Sequence, residues 1–350
     1  MSDLTGVVLL NMGGPDSLAA VEPFLFNLFN DNDIIPLPLG GLVIGQRLLA
    51  RRISSRRAEF VRGYYQRIGG RSPIAEITRA QADALEKRLN TSGSANGARF
   101  RCYVAMRYWH PFAGEALAAM QKDGVCRVVA LTLYPHYTTA TTGSSLCDLR
   151  RCIAGKPPGL GAAPVIEIDR FFDEPLYLDA LAEQIETGLG EFPAAARPGV
   201  TVLYSAHGLP RSFIKKGDPY VDNLYVTIAG VNARLAAKSG RVQPWRLSFQ
   251  SRVGKGWLEP GTEEMLAELA REERRDVLAV PISFVSDHVE TLYEIDLLFG
   301  EVAEKLGVRM KRAPSLNTAP KFIEALAAMV ERRLEPARES VAAPVPGAAQ

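Results

Sequence analysis

Much of what this sequence can be is narrowed by what it lacks. Its four cysteines, Cys102, Cys126, Cys147 and Cys152, form no CxxC pair, which removes the spacing used by small zinc modules and thioredoxin-like redox sites. Neither GxGxxG nor GKS/T follows an apolar strand pattern, so a phosphate loop for a nucleotide has no support. HExxH is absent too, and with it a usual signature of tightly held zinc. No apolar run reaches the roughly 18 residues that cross a bilayer. The N-terminus MSDLTGVVLLNMGG has no basic stretch ahead of its short apolar run, as a signal peptide would. A cytoplasmic protein that does not span the membrane is expected. A net charge of +2 over 350 residues gives no overall field for nucleic acid, and none is expected as a partner.

What is present is an ordinary globular composition, 47% hydrophobic and 23% charged, arranged as strand-like apolar runs alternating with helical periodicity. Four runs fall in the first half, at 6–10, 100–106, 127–133 and 165–169, and four in the second, at 201–205, 246–250, 277–282 and 308–312. The repetition predicts an α/β protein of two similar units, each a parallel sheet flanked by helices. The expected divisions are 1–172 and 173–317, a last helix over 318–334 packing back on the first unit, and a disordered tail over 335–350. Residues 34–49, IIPLPLGGLVIGQRLL, are apolar, broken by proline and glycine, and run into Arg51, Arg52, Arg56 and Arg57. They read either as a core helix with a basic end or as an apolar flap whose arginines meet anionic headgroups or a carboxylated ligand.

Nearly every chemically loaded cluster follows the carboxyl end of an expected strand, where open parallel sheets bind ligands. The stretch 277–299 breaks at Ser286-Asp287-His288 and resumes at helical spacing, with Leu292, Ile295, Leu298 and Phe299 on one side. Asp287, Glu290 and Glu294 then place three carboxylates along one polar face. Asp287 alone also reads as a helix cap. Like charges so placed oppose one another unless a cation or a captured proton compensates. His207 in SAHGLP, with His288, Glu290 and Glu294, can bind metal or move protons. Met12, Tyr108, Tyr134 and Trp257 offer apolar surface, and Arg107 and the hydroxyls near Ser144 can hold carboxylates. His110 and His136, each beside a proline in an aromatic cluster, read as structural. A metal and a large flat anion suit this mixture.

Taken together, NMGGP (11–15), RIGGRSP (67–73), MRYWHP (106–111), LYPHYTTATTGSS (133–145), SAHGLP (205–210), KGDPY (216–220), QSRVGKGWLEP (250–260) and SDHVETLYEID (286–296) resemble the ferrochelatase family. They stand in the family's order. The resemblance implies two Rossmann-like domains, each a four-stranded parallel sheet, with a porphyrin cleft between them. It implies a lyase that inserts Fe²⁺ into protoporphyrin IX with release of two protons, the last step of haem synthesis. His207 and Glu290 become the catalytic pair and the metal ligands, and Asp287, His288 and Glu294 a proton or metal relay. Met12, Arg107, Tyr108, Tyr134, Ser144 and Trp257 become porphyrin contacts, with Arg107, Tyr108 and Ser144 near the propionates or the ring edge.

Iron is a substrate in this reading, and no tightly bound cofactor is expected. A 2Fe–2S cluster is not expected either, because no cysteine follows Cys152, whereas animal relatives carry cluster ligands in a C-terminal extension. Residues 34–49 match the family's lip and are expected to touch the inner face of the membrane peripherally. Met12 matches the protoporphyrin form, since coproporphyrin relatives usually carry tyrosine there. Three other readings fit parts of the pattern: a cobalt chelatase acting on a less oxidised tetrapyrrole, a non-catalytic haem or metal carrier, and a nucleotide-sugar transferase. The YPHYTTATTGSS and GWLEP motifs favour the iron enzyme, a carrier has no need of a proton acceptor at His207, and the transferase lacks its phosphate loops.

Overall fold

The computed structural model describes residues 4–32, 43–91, 99–155 and 163–335. Most of the apolar stretch 34–49 and nearly all of the tail 335–350 lie outside these residues. Eight strands form where the apolar runs fall: β1 (Leu4–Asn11), β2 (Arg99–Met106), β3 (Arg127–Thr132), β4 (Val165–Ile168), β5 (Thr201–His207), β6 (Trp245–Gln250), β7 (Asp276–Pro281) and β8 (Arg309–Arg312). They make two four-stranded sheets, ordered β2-β1-β3-β4 and β6-β5-β7-β8, with every pairing parallel. The two orders are the same, so the second half repeats the first. In each sheet the order reverses beside the first strand. The crevices at the carboxyl ends of β1/β3 and β5/β7 are therefore the places where an open sheet binds its ligand.

The helices are α1 (Val21–Phe29), α2 (Val43–Arg67), α3 (Ile74–Thr91), α4 (Ala113–Lys122), α5 (Ser144–Ala154), α6 (Pro175–Gly190), α7 (Arg211–Lys215), α8 (Tyr220–Ser239), α9 (Thr262–Arg271), α10 (Gly300–Lys305) and α11 (Pro320–Leu334). Alternate residues of each central strand serve different layers, as the two-residue period of a strand requires. Val7 and Leu9 point into the layer that holds α3, α6, α8 and α11, and so do Val202, Tyr204 and Ala206 from β5. Val8 and Leu10 point the other way, toward α4 and α5. Leu203 points toward α9 and α10. Helices cover both faces of both sheets, which is why the parallel strands read as unbroken apolar runs instead of alternating ones.

The middle layer is continuous. One apolar cluster runs from the first sheet through α3, α11 and α6 to the second. Within it α11 packs against both α3 and α6, and Arg88 of α3 clamps Glu324 and Glu331 of α11 at 2.7 and 3.1 Å.

One expected element differs. Residues Glu290–Phe299 form a π-helix in place of an ordinary helix. Its i→i+5 bonding puts residues four and five apart on one side, a geometry that is rare and concentrated at functional sites. Ile295 and Phe299 are buried as expected, whereas Leu292 and Leu298 are only half-buried.

Phe322 is fully buried at the seam of α11. Phe322→Ala should lower the free energy of unfolding by about 3–5 kcal/mol, measured by denaturant titration. Because the layer joins both halves, the transition should shift as one step.

Candidate active site

The carboxyl ends of β1, β3, β5 and β7 converge on one cavity. It takes residues from both halves, among them Met12, Tyr134, His136, His207, His288 and Glu290, and its volume is about 70 Å³. Its walls are mostly apolar, and its polar groups enter from strand ends. His207 is the last residue of β5, in register with Gln250 at the end of β6. Its backbone is held from both sides: the amide N–H donates to Ser283 Oγ at 3.2 Å and the carbonyl accepts from the Tyr220 hydroxyl at 3.0 Å. Gly208 follows because nothing larger fits. A Cβ there would stand 2.7 Å from the Gln250 carbonyl oxygen and 3.4 Å from the Trp257 ring.

The His207 ring, about one-third exposed, places Nδ1 2.8 Å from Oε2 of Glu290, the first residue of the π-helix. Burial of Glu290 opposes its charge, but the charge and hydrogen bond of His207 outweigh it and hold the carboxyl below the usual range. For His207, burial works against protonation and the facing carboxylate overcomes it, so the imidazole is more basic than usual. An ionised carboxylate only accepts hydrogen bonds. Nδ1 is therefore the donor, and Nε2 is the nitrogen left for a reacting group. Gln250 Nε2 adds a bond to the same Oε2 at 3.2 Å, and Ser205 fixes the Gln250 amide by donating to its Oε1 at 2.6 Å.

Ser251 extends this network and was not singled out by the sequence reading. Its backbone is left-handed, with φ of 56°, an uncommon conformation for a residue with a Cβ and one that tends to collect at functional sites. Its Oγ lies 2.9 Å from Glu290 Oε2 and 2.6 Å from Glu294 Oε2. A hydroxyl has one hydrogen and can donate to only one of them. With Glu290 ionised, Ser251 donates there and Glu294 supplies the proton for the other contact. The environment agrees, since burial and then the Glu290 charge push Glu294 up to about 7. Glu294 lines a second, outer cavity of about 430 Å³ together with Ser251, Arg57 and Tyr64. Tyr64 of α2 stacks on Tyr293 of the π-helix at 4.0 Å. Two spaces thus meet at the Glu290–Ser251–Glu294 bridge.

Other residues from the expected set are placed elsewhere. Asp287 precedes the π-helix, and its carboxylate accepts from Arg312, Ser315 and Asn317 at 3.0, 2.7 and 2.9 Å. It anchors the loop and does not reach the Glu290–Glu294 bridge. His288 is buried with both ring nitrogens unpartnered, and its Nε2 lies 3.9 Å from Glu290 Oε1. Burial, the larger influence, lowers its pKa despite the nearby carboxylates. Met12 and Tyr134 line the inner cavity, and Trp257 lies beside it over Gly208.

Arg107, Tyr108 and Ser144 close on one another around Asp31. Arg107 Nη2 and the Tyr108 hydroxyl donate to Asp31 Oδ2 at 2.8 and 2.7 Å, Ser144 donates to the same oxygen, and Arg107 Nε donates to Ser144 Oγ at 2.7 Å. Tyr108 and Ser144 are both buried. The two halves also meet through polar bonds beside the cavity. Asp218 of KGDPY accepts from Thr138 Oγ1 and the Thr139 amide at 2.8 and 2.9 Å, and Gln81 of α3 donates to Ser286 Oγ at 3.0 Å. Among the described residues no group of three or more His, Cys, Asp or Glu side chains is arranged to hold a metal ion.

Two parallel sheets of the same order, facing each other across a cavity, make the class II chelatase fold. A structure of SirB from Bacillus subtilis with Fe³⁺ matches it with a TM-score of 0.52 at 12% identity, over 95% of this chain and 96% of that one, a likeness of fold. The ferrochelatase family model matches residues 4–334. A ferrochelatase of Geotalea daltonii is 51% identical over 333 residues, covering 95% of this chain and 98% of the relative, and one of Geotalea uraniireducens is 50% identical over 335 residues with the same coverage. The chain belongs to the ferrochelatase family, the lyases that insert ferrous iron into protoporphyrin in haem biosynthesis.

Glu294 keeps its proton up to about pH 7 in the fold, against an ordinary value of 4.5. Between these values the folded chain binds more protons than the unfolded chain, so this residue makes stability fall as pH rises. Glu294→Gln should remove that component. The difference in unfolding free energy between the two proteins should change by up to about 3 kcal/mol between pH 4.5 and 7, read from denaturant titrations along a pH series. A constant difference across the window would mean that Glu294 is ionised throughout.

Proposed function

We propose that ferrous iron enters protoporphyrin IX against the His207–Glu290 pair, with His207 Nε2 accepting pyrrole protons. The observation that carries this reading is the 2.8 Å bond from His207 Nδ1 to Glu290 at the carboxyl end of β5. As the four ring nitrogens bind the ion, their two N–H protons must leave. A neutral imidazole whose Nδ1 hydrogen is fixed on a carboxylate presents a lone pair at Nε2, and the carboxylate stabilises the imidazolium that forms. Both residues are also within the same cavity for the ion itself, and either use requires Nε2 free of a proton. The bridge from Glu290 through Ser251 to Glu294 supports an onward route for protons toward the outer cavity. His288 stands beside it as a neutral imidazole, and Asp287 holds the loop that carries both.

The porphyrin contacts in this reading are Met12 and Tyr134 in the cavity wall and Trp257 beside it, while Arg107, Tyr108 and Ser144 shape the wall behind. Iron is a substrate in this reading, which includes no tightly bound cofactor. The halves 1–172 and 173–317 serve as the two domains, with the helix over 318–334 joining them.

Peripheral contact with the cytoplasmic face of the membrane, through residues 34–49 and the helix they enter, has support in α2. No helix among the described residues is long and apolar enough to cross a membrane. On α2, seven arginines stand against one glutamate, and Leu48 and Phe60 are exposed to 65% and 62%. Leu48, Arg52, Arg56 and Phe60 follow one another at intervals of four, on one helix face. Such a face suits an anionic bilayer surface.

Anaerobic mixing of the protein with Fe²⁺ and protoporphyrin IX, followed by loss of porphyrin fluorescence, should show turnover. His207→Ala should reduce it by about 10²–10⁴-fold and Glu290→Gln in the same direction, with porphyrin binding retained. Undiminished turnover in His207→Ala would place the proton acceptor elsewhere. In vesicle sedimentation, Arg52→Glu with Arg56→Glu should weaken binding to anionic vesicles, leaving neutral ones unaffected, by about 2 kcal/mol or about 30-fold at low salt.

A further inference from the structure

His136 follows β3 and looks structural in the sequence, yet it lines the same inner cavity as His207 and His288. Its ring is buried, and its protonation can be deduced from hydrogen counting. Thr227 Oγ1 has a single hydrogen and donates it to the Phe172 carbonyl at 2.7 Å. The 3.0 Å contact between His136 Nε2 and that oxygen is therefore one the hydroxyl accepts, and Nε2 carries the hydrogen. Burial pushes the ring's pKa down to about 3, so the imidazole is neutral and Nδ1 is a bare lone pair. That atom is buried with no hydrogen-bond partner. Buried polar atoms are almost always satisfied, so it calls for a guest. Both ring nitrogens of His288 are in the same position.

The cavity has the size of a small guest. Its open space of about 70 Å³ admits a few waters or a hydrated ion. A donor to His136 Nδ1 could be water alone, but a neutral imidazole with a fixed tautomer and no competing proton is also the preferred ligand of borderline divalent metals. The Nε2–H bond to Thr227 orients the ring as the second hydrogen bond of a metal-binding histidine does.

We propose that His136 Nδ1 is a ligand for the incoming divalent iron, holding it at the cavity wall with water on its remaining positions before the macrocycle takes it up. This rests on the reading of the cavity as the metallation centre. His288 lines the same cavity. Among the described residues no three such side chains are grouped to hold a metal, so the ion stays partly hydrated and leaves easily, as a substrate must.

The test uses the full chain without porphyrin and Co²⁺ as the anaerobic probe, followed by its visible absorption. His136→Gln keeps a donor for Thr227 and deletes the acceptor at the Nδ1 position; His136→Asn keeps an acceptor there and loses the Thr227 bond. His136→Gln should weaken Co²⁺ binding by about tenfold or more, and His136→Asn by much less. With Fe²⁺ and porphyrin, His136→Gln should raise the KM for iron and leave that for porphyrin unchanged. A second measurement needs no variant. The chain has four histidines, so ¹⁵N-imidazole spectra of the wild type resolve each ring, and Co²⁺ should broaden the Nδ1 signal of His136. Equal Co²⁺ affinity in His136→Gln, or His136 signals that stay sharp while those of His207 broaden, would overturn the assignment in favour of bound water. His207→Ala in the same turnover assay separates this from the larger reading. Turnover surviving there removes the His207 scheme, and the Co²⁺ result still decides His136.

Discussion

The hydrogen bond between His207 and Glu290 is the contact on which the rest of the site depends. It joins the end of β5 to the start of the helix that follows β7, two neighbouring strands of one sheet, across the crevice their order creates. Gln250, Ser251, Ser283 and Tyr220 all serve to fix one or other partner. Because Glu290 is held ionised by His207, Ser251 must give its hydrogen to Glu290, and Glu294 must then bring its own. One hydrogen-bonded pair thus sets the protonation of a third group that faces a different space.

The π-helix carries that arrangement. Glu290 and Glu294, four residues apart, stand on one side of it and reach the same hydroxyl. Two carboxylates so close repel each other, and the fold compensates with the imidazole on one side and a retained proton on the other. The sequence-level argument that clustered acids need a cation or a captured proton holds for this pair. Asp287 belongs to a different balance, with Arg312, Ser315 and Asn317.

The strands were legible because parallel strands covered on both faces are continuous apolar runs, and VVLL in β1 and VLAV in β7 leave little choice. The convergence of loops at the carboxyl ends followed from that topology. What stayed hidden depended on partners distant in the chain. Arg107, Tyr108 and Ser144 have the right chemistry to hold a propionate, but Asp31, 76 residues before Arg107, already holds them, and no local pattern reveals it. His136 looked structural beside its proline, since its partner Thr227 is 91 residues away. The role of Ser251 depends on a left-handed backbone that serine rarely signals. The π-helix shows in which positions are buried: α-helical spacing puts Leu292, Ile295, Leu298 and Phe299 on one side, yet Leu292 and Leu298 are half-buried.

The inner cavity takes its lining from both halves, and those halves are held together by one core. Separation of the two halves as rigid bodies would split the continuous apolar layer of α3, α6, α8 and α11, exposing surface at about 25 cal/mol for every Å². The α1–α2 pair packs outside that layer. It has its own smaller apolar cluster, which includes Met12 and Val289 at the edge of the site, and is tied to the π-helix by the Tyr64–Tyr293 stack and to α10 by an exposed Arg67–Glu301 ion pair. Exposed ion pairs hold weakly. α2, with its basic, apolar outer face, thus packs directly against the π-helix and shares with Glu294 the lining of the outer cavity.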